Sequence, residues 1–235
     1  MKSRSSRQLA MAIVIAVAAL AFILRLLQLS ALDMDGRFPA RAGLGLLTWL
    51  CLAITVTAGV CAWRLQPAQQ LCGSSAVVLA MTLAAAFLTA LAGAALWTTN
   101  KLSGLCRLLT AVCLVVIGLQ RRQRSSISAL WFMLPAMFQA AELIAEFRYW
   151  SKDPQILDYC FKLFASIFAL LANYHLAGFY LGRSAGKRTF FYCLMGAVFS
   201  IIAIAGEPAI LAISMGGTAL WLLVNLWLVS GEDGL

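Results

Sequence analysis

Glu142, Glu146, Lys162, Arg107 and Arg25 are ionisable residues placed inside long apolar runs. Charges at such positions are rare enough that each one counts as a candidate site. Three readings are open to them: pairing with one another, lining a pocket for an ion or small polar solute, or forming a partner-binding face. Their spacing adds direction. Ser128, Pro135, Gln139, Glu142 and Glu146 follow one another at intervals of 7, 4, 3 and 4. At about 100° per residue these positions fall within about 60° on a helix, as one polar stripe with Pro135 placed to bend it. Asp158, Lys162, Ser166, Ala169 and Asn173 occupy a second arc of about 80° on the next helix.

Depth brings the charges together. Glu142 lies about 7–8 Å below the outer edge of its span, and Lys162 at a matching depth on the return span. Arg25 and Arg107 stand about one turn from the outer ends of their own spans. The expectation is an ion pair between Glu142 and Lys162, direct or through water, with Arg25 or Arg107 lining the same outward-facing cavity. Glu142, Glu146, Lys162, Arg25, Arg107, Gln139 and Asn173 are the candidate ligand-binding residues. A solute site needs a cavity of about 300 Å³ or more beside them. The competing reading is structural: the long cations reach the headgroups, and the carboxylates lock neighbouring helices.

These residues are carried by eight apolar runs, near 9–29, 43–63, 74–97, 104–119, 127–147, 157–181, 189–205 and 208–229. Most have the roughly 17–25 residues a helix needs to cross a bilayer. The composition agrees: 63% of residues are hydrophobic, 11% are charged and mean hydropathy is +0.89. Globular domains carry about a quarter charged residues. Residues 1–235 therefore read as a single all-α, polytopic helical membrane bundle of about eight transmembrane helices.

The linkers alternate in basic content. With the N-terminus in the cytoplasm, ten basic residues lie inside (Lys2, Arg4, Arg7, Arg64, Arg121, Arg122, Arg124, Arg183, Lys187, Arg188). Five lie outside (Arg37, Arg41, Lys101, Arg148, Lys152). This bias favours both termini in the cytoplasm. A seven-span chain is the alternative, because the fourth run is short and Gly206-Glu207-Pro208 leaves little loop between the last two.

Several functions are disfavoured. A net charge of +9 is a common nucleic-acid footprint. Here the basic residues sit in short loops beside apolar runs, where they orient helices and meet anionic lipid, so no nucleic-acid partner is expected. Seven cysteines (Cys51, Cys61, Cys72, Cys106, Cys113, Cys160, Cys193) show no C-x-x-C pair, and they read as apolar filler. The first run is longer than a signal-peptide core and is expected to remain as a span. His175, the single histidine, points away from the polar arc of its helix and reads as a helix-interface residue. Cys–His, Ser–His and multi-histidine metal sites would all depend on it, so no cofactor, metal or catalytic residue is assigned. A carboxylate enzyme using Glu142 or Glu146 stays open. Small residues (Ala12, Ala16 and Ala19; Ala84, Ala85, Ala86, Ala92 and Gly93) suit close helix packing, or docking of a partner subunit or second copy.

The segment Arg148-Tyr149-Trp150-Ser151-Lys152-Asp153-Pro154, continuing through Leu157-Asp158-Tyr159 to Gly178-Phe179, resembles a group of uncharacterised multi-pass membrane proteins of Gram-positive-type bacteria. The resemblance covers a minor part of the chain. It implies a bacterial plasma membrane and no particular activity. Intramembrane proteases of the CAAX and rhomboid types need histidine or G-x-S-x-G motifs that are missing here. Substrate-binding components of vitamin transporters are similar in outline but have six spans.

The leading functional reading is small-solute binding or transport through an outward-facing polar pocket, the chain acting alone or as a transporter subunit. The alternative is a non-catalytic assembly or regulatory subunit whose intramembrane charges are structural.

Overall fold

A computed structural model gives the architecture. It describes residues 2–30, 75–123, 128–150, 156–183 and 186–229, with scattered helical residues between 49 and 60. Seven helices are bounded: α1 (Lys2–Ser30), α2 (Ala76–Leu96), α3 (Lys101–Arg122), α4 (Leu130–Trp150), α5 (Ile156–Tyr180), α6 (Gly186–Ile204) and α7 (Ala209–Val229). The described residues contain no strand. The six helices from α2 to α7 each hold a stretch long and apolar enough to cross a membrane, and α1 carries an apolar stretch that includes Ile15–Leu27. The described residues thus form an all-helical bundle with six helices that could span a membrane. The expected second span, 43–63, falls largely outside the described residues, as do the linker at 30–42 and residues 151–155 of the Trp-Ser-Lys-Asp-Pro element.

Each of α2 to α7 packs on its neighbours in the chain, and α7 returns to α2, so the six close into a ring. Short turns enforce this order. Asn100 caps α3, its side chain accepting from the Ser103 N–H at 3.3 Å. Gly182, at φ 67°, ends α5 in the left-handed conformation, with the Arg183 N–H donating to the Gly178 carbonyl at 2.9 Å. Small residues then set the seams. A Cβ on Gly104 would lie 2.9 Å from the Gly93 carbonyl oxygen, so α2 and α3 touch backbone to backbone. A Cβ on Gly217 would lie 2.9 Å from Thr89 Oγ1, and this contact brings α7 against α2.

Outside the ring, α1 lies along α6 through Ala18, Ala21 and Arg25, one narrow stripe of a helix that otherwise exposes Ile15, Leu20, Ile23 and Leu27. Gly59, from the scattered helical residues, also meets α6 at Met195 and Phe191. Covered on both sides, α6 is 67% buried over its apolar stretch, against 17% for α4. The core sits where α5, α6 and α7 meet, around Phe161, Leu176, Leu194, Phe199, Ile202 and Leu222. The outer surface of the ring, including Phe87, Val112, Met137 and Ile144, is apolar and suits lipid.

Candidate functional site

Parts of the two polar arcs, Gln139 and Glu142 of one and Ser166 and Ala169 of the other, face one another, whereas Ser128 is exposed and the side chain of Asp158 lies outside the described residues. A cavity of about 40 Å³ lies within the ring. It is lined by Thr89 of α2, Arg107 and Thr110 of α3, Gln139 and Glu142 of α4, Ala165, Ser166 and Ala169 of α5, and Ser214, Met215 and Thr218 of α7. Five helices therefore contribute to it, and polar and apolar atoms share its surface about equally. By volume it has room for a few water molecules, well short of the 300 Å³ that a drug-sized solute needs.

At one end of the ring the charges are paired, though in a different pattern from the expected one. Glu142 pairs with Arg107, Oε1 lying 3.1 Å from Nε, off hydrogen-bond alignment. The same oxygen accepts from Ser103 Oγ at 2.8 Å. Lys162 is held by Glu146 at 3.5 Å and by Glu207 at 3.3 Å. A direct Glu142–Lys162 pair does not form, and these two pairings stand in its place. Arg107 sits on the neighbouring helix with its guanidinium beside the carboxylate, while Lys162 on the far side of α4 meets the carboxylates nearer the helix end. Arg25 is also corrected. It is buried on α1, outside the ring, with its guanidinium 5.1 Å from the Phe161 ring centroid, and it does not line the cavity.

Glu207, absent from the candidate residues, stands in the turn between α6 and α7, and burial pushes its carboxyl above the ordinary range while the Lys162 ammonium pulls it back.

From the cavity a hydrogen-bonded chain continues toward the other end. Asn173 Nδ2 donates to Gln139 Oε1 at 3.1 Å, and Trp221 Nε1 donates to Asn173 Oδ1 at 2.9 Å. Asn225 Nδ2 donates to the Trp221 carbonyl at 2.7 Å, and Arg121 Nη2 donates to Asn225 Oδ1 at 2.7 Å. All seven candidate residues are thus placed. Six lie in or beside the ring interior, and Arg25 lies at its rim. Arg121, read from sequence as a cytoplasmic loop charge, is instead buried in the last turn of α3. Its signal was periodic: Arg107, Ala111, Leu114, Gly118 and Arg121 follow the 4-3-4-3 spacing of one buried helix face.

His175 stacks on Tyr192 at 4.6 Å between α5 and α6, away from the cavity. Among the described residues, no group of three or more His, Cys, Asp or Glu side chains could hold a metal ion. No protein-family model matches the chain, and no curated protein or solved structure matches it.

Proposed function

We propose that this chain is a multi-pass protein of a bacterial plasma membrane, with both termini in the cytoplasm and about eight spans. Its ring interior binds or passes a small hydrogen-bonding solute or ion. The observation that supports this reading is the cavity itself, where hydroxyl, amide and charged side chains from five helices converge inside a ring whose exterior is apolar. Polar side chains inside a membrane protein gather where water or a solute must be accommodated. At about 40 Å³ the cavity has room for water but not for a larger solute. In this reading, separating the Lys162–Glu146–Glu207 cluster would widen the path from that end. The chain acts alone, as a homo-oligomer, or with a partner membrane subunit.

A second reading is favoured by one specific observation. Glu142 and Lys162 each have an oppositely charged partner, as a purely structural lock requires. In that case the chain is an assembly or regulatory subunit.

Stopped-flow shrinkage of vesicles carrying the full chain separates the two, with water, urea, glycerol and methylammonium chloride as probes. Transport predicts that at least one probe crosses at least about tenfold faster than in empty vesicles, a factor well outside uniform leakage. Thr218→Leu, which puts an apolar side chain into the cavity, should return that rate to background. Equal rates for wild type and empty vesicles, with the protein folded, would favour the structural lock.

A further inference from the structure

Arg121 is buried to 7% exposure, yet no carboxylate lies against it among the described residues. Its Nη2 donates to a neutral amide, Asn225 Oδ1, at 2.7 Å. Nε and Nη1 are buried and have no acceptor. The guanidinium carbon lies 5.6 Å from the Phe132 ring centroid and 5.3 Å from that of Trp221. Aromatic faces attract a cation, but they accept none of its in-plane hydrogen bonds. A guanidinium is always charged, and its planar fork matches the oxygens of a carboxylate or phosphate. A buried cation with donors left over is costly unless an anion meets it.

The surroundings favour one arriving. Arg121 is in the last turn of α3, and Asn225 is in the last part of α7, at the same end of the ring. Exposed Arg122, Arg183, Lys187 and Arg188 rim that end and raise the local concentration of anions.

We propose that Arg121, seated by Asn225 between Phe132 and Trp221, is a binding site for one phosphate or carboxylate group. The group is carried either by an anionic lipid headgroup or by a free anion. This inference stands independently of the cavity's role, since neither Arg121 nor Asn225 lines that cavity.

The test uses the full chain in neutral detergent with inorganic phosphate, and in nanodiscs of phosphatidylcholine with or without phosphatidylglycerol. Thermal unfolding and Trp fluorescence are followed. At a phosphate concentration about a hundredfold above half-saturation, the midpoint should rise by about 5 °C. A rise with phosphate assigns a free anion. A rise only with phosphatidylglycerol assigns the lipid headgroup. Arg121→Gln should abolish the response, whereas Arg183→Gln, on the exposed rim, should keep it. Asn225→Asp places a carboxylate on Nη2. It should raise the midpoint without added anion and remove the response, which keeps the test decisive if Arg121→Gln fails to fold. The proposal is overturned if Asn225→Asp responds as wild type does, or if no anion shifts the wild-type midpoint.

Discussion

The two ends of the helical ring handle buried charge in opposite ways. At the end carrying Glu207, Arg107 meets Glu142, and Lys162 meets both Glu146 and Glu207. At the end carrying Arg121, a guanidinium equally buried meets an amide and two aromatic faces. Paired charges lock helices, because each carboxylate removes the penalty of the cation beside it. A buried charge without a counter-ion keeps that penalty until an anion meets it. Among the described residues, carboxylates satisfy one end, and the other is the end to which we assign an anion.

The largest expected effect tests this contrast. Glu142→Leu strands Arg107 and should cost about 3–5 kcal/mol of stability. Joining Arg107→Met to it should recover most of that loss. Arg121→Met, measured by the same unfolding in anion-free neutral detergent, should cost clearly less, about 1–2 kcal/mol, because relief of an uncompensated buried charge offsets loss of the Asn225 hydrogen bond and the two aromatic contacts. Equal costs for Glu142→Leu and Arg121→Met would erase the difference between the ends.

Next in size is the closure that keeps the ring intact between those ends. Gly217→Ala pushes a methyl to within 2.9 Å of Thr89 Oγ1 and should cost about 1–3 kcal/mol. At Gly216 the nearest atom, Ile204 Cδ1, is 4.0 Å away, so Gly216→Ala should lie within about 0.5 kcal/mol of wild type. Matched losses at both positions would show that the α2–α7 contact is not what closes the ring.

A smaller effect concerns pH at the paired end. The raised carboxyl of Glu207 holds its proton to higher pH in the folded chain than in the unfolded one. The folded state then binds more protons between the ordinary carboxylate range and that raised value, so stability falls as pH rises through this window. Unfolding midpoints across it should slope downward for wild type and less so for Glu207→Gln. An identical slope in both would remove Glu207 as the cause. Smallest of all, His175→Phe should keep the stack on Tyr192 and change stability by about 0.5 kcal/mol or less. A large loss would show that the imidazole nitrogens matter at the α5–α6 interface.

Helical periodicity made much of the interior legible. The arcs holding Gln139 and Glu142, and Ser166 and Ala169, turn toward one cavity because lipid offers polar groups no partner. Hydropathy likewise marked the six helices from α2 to α7, whose apolar lengths are set by the bilayer. What stayed hidden was pairing. Depth and direction place Glu142 near both Arg107 and Lys162, and the order of neighbours around a ring, which chooses between them, is a tertiary property. Arg121 was misread because its neighbours Arg122 and Arg124 make the segment look like a loop, while the helix runs one turn past the apolar stretch. Arg25 shared the right depth but sits on a helix outside the ring.

The most direct test of a solute-accessible interior compares thiol reactivity at two introduced cysteines, against the parent chain in vesicles. Ser166→Cys faces the cavity, and Ile144→Cys faces the lipid side of α4. A small hydrophilic thiol reagent reacts with the thiolate, which forms where water reaches. A ring interior that opens to solvent should make Ser166→Cys react at least about tenfold faster than Ile144→Cys, with Thr218→Leu abolishing the difference. Equal, background-level reactivity at both positions would contradict an opening cavity and leave the paired charges as a structural lock.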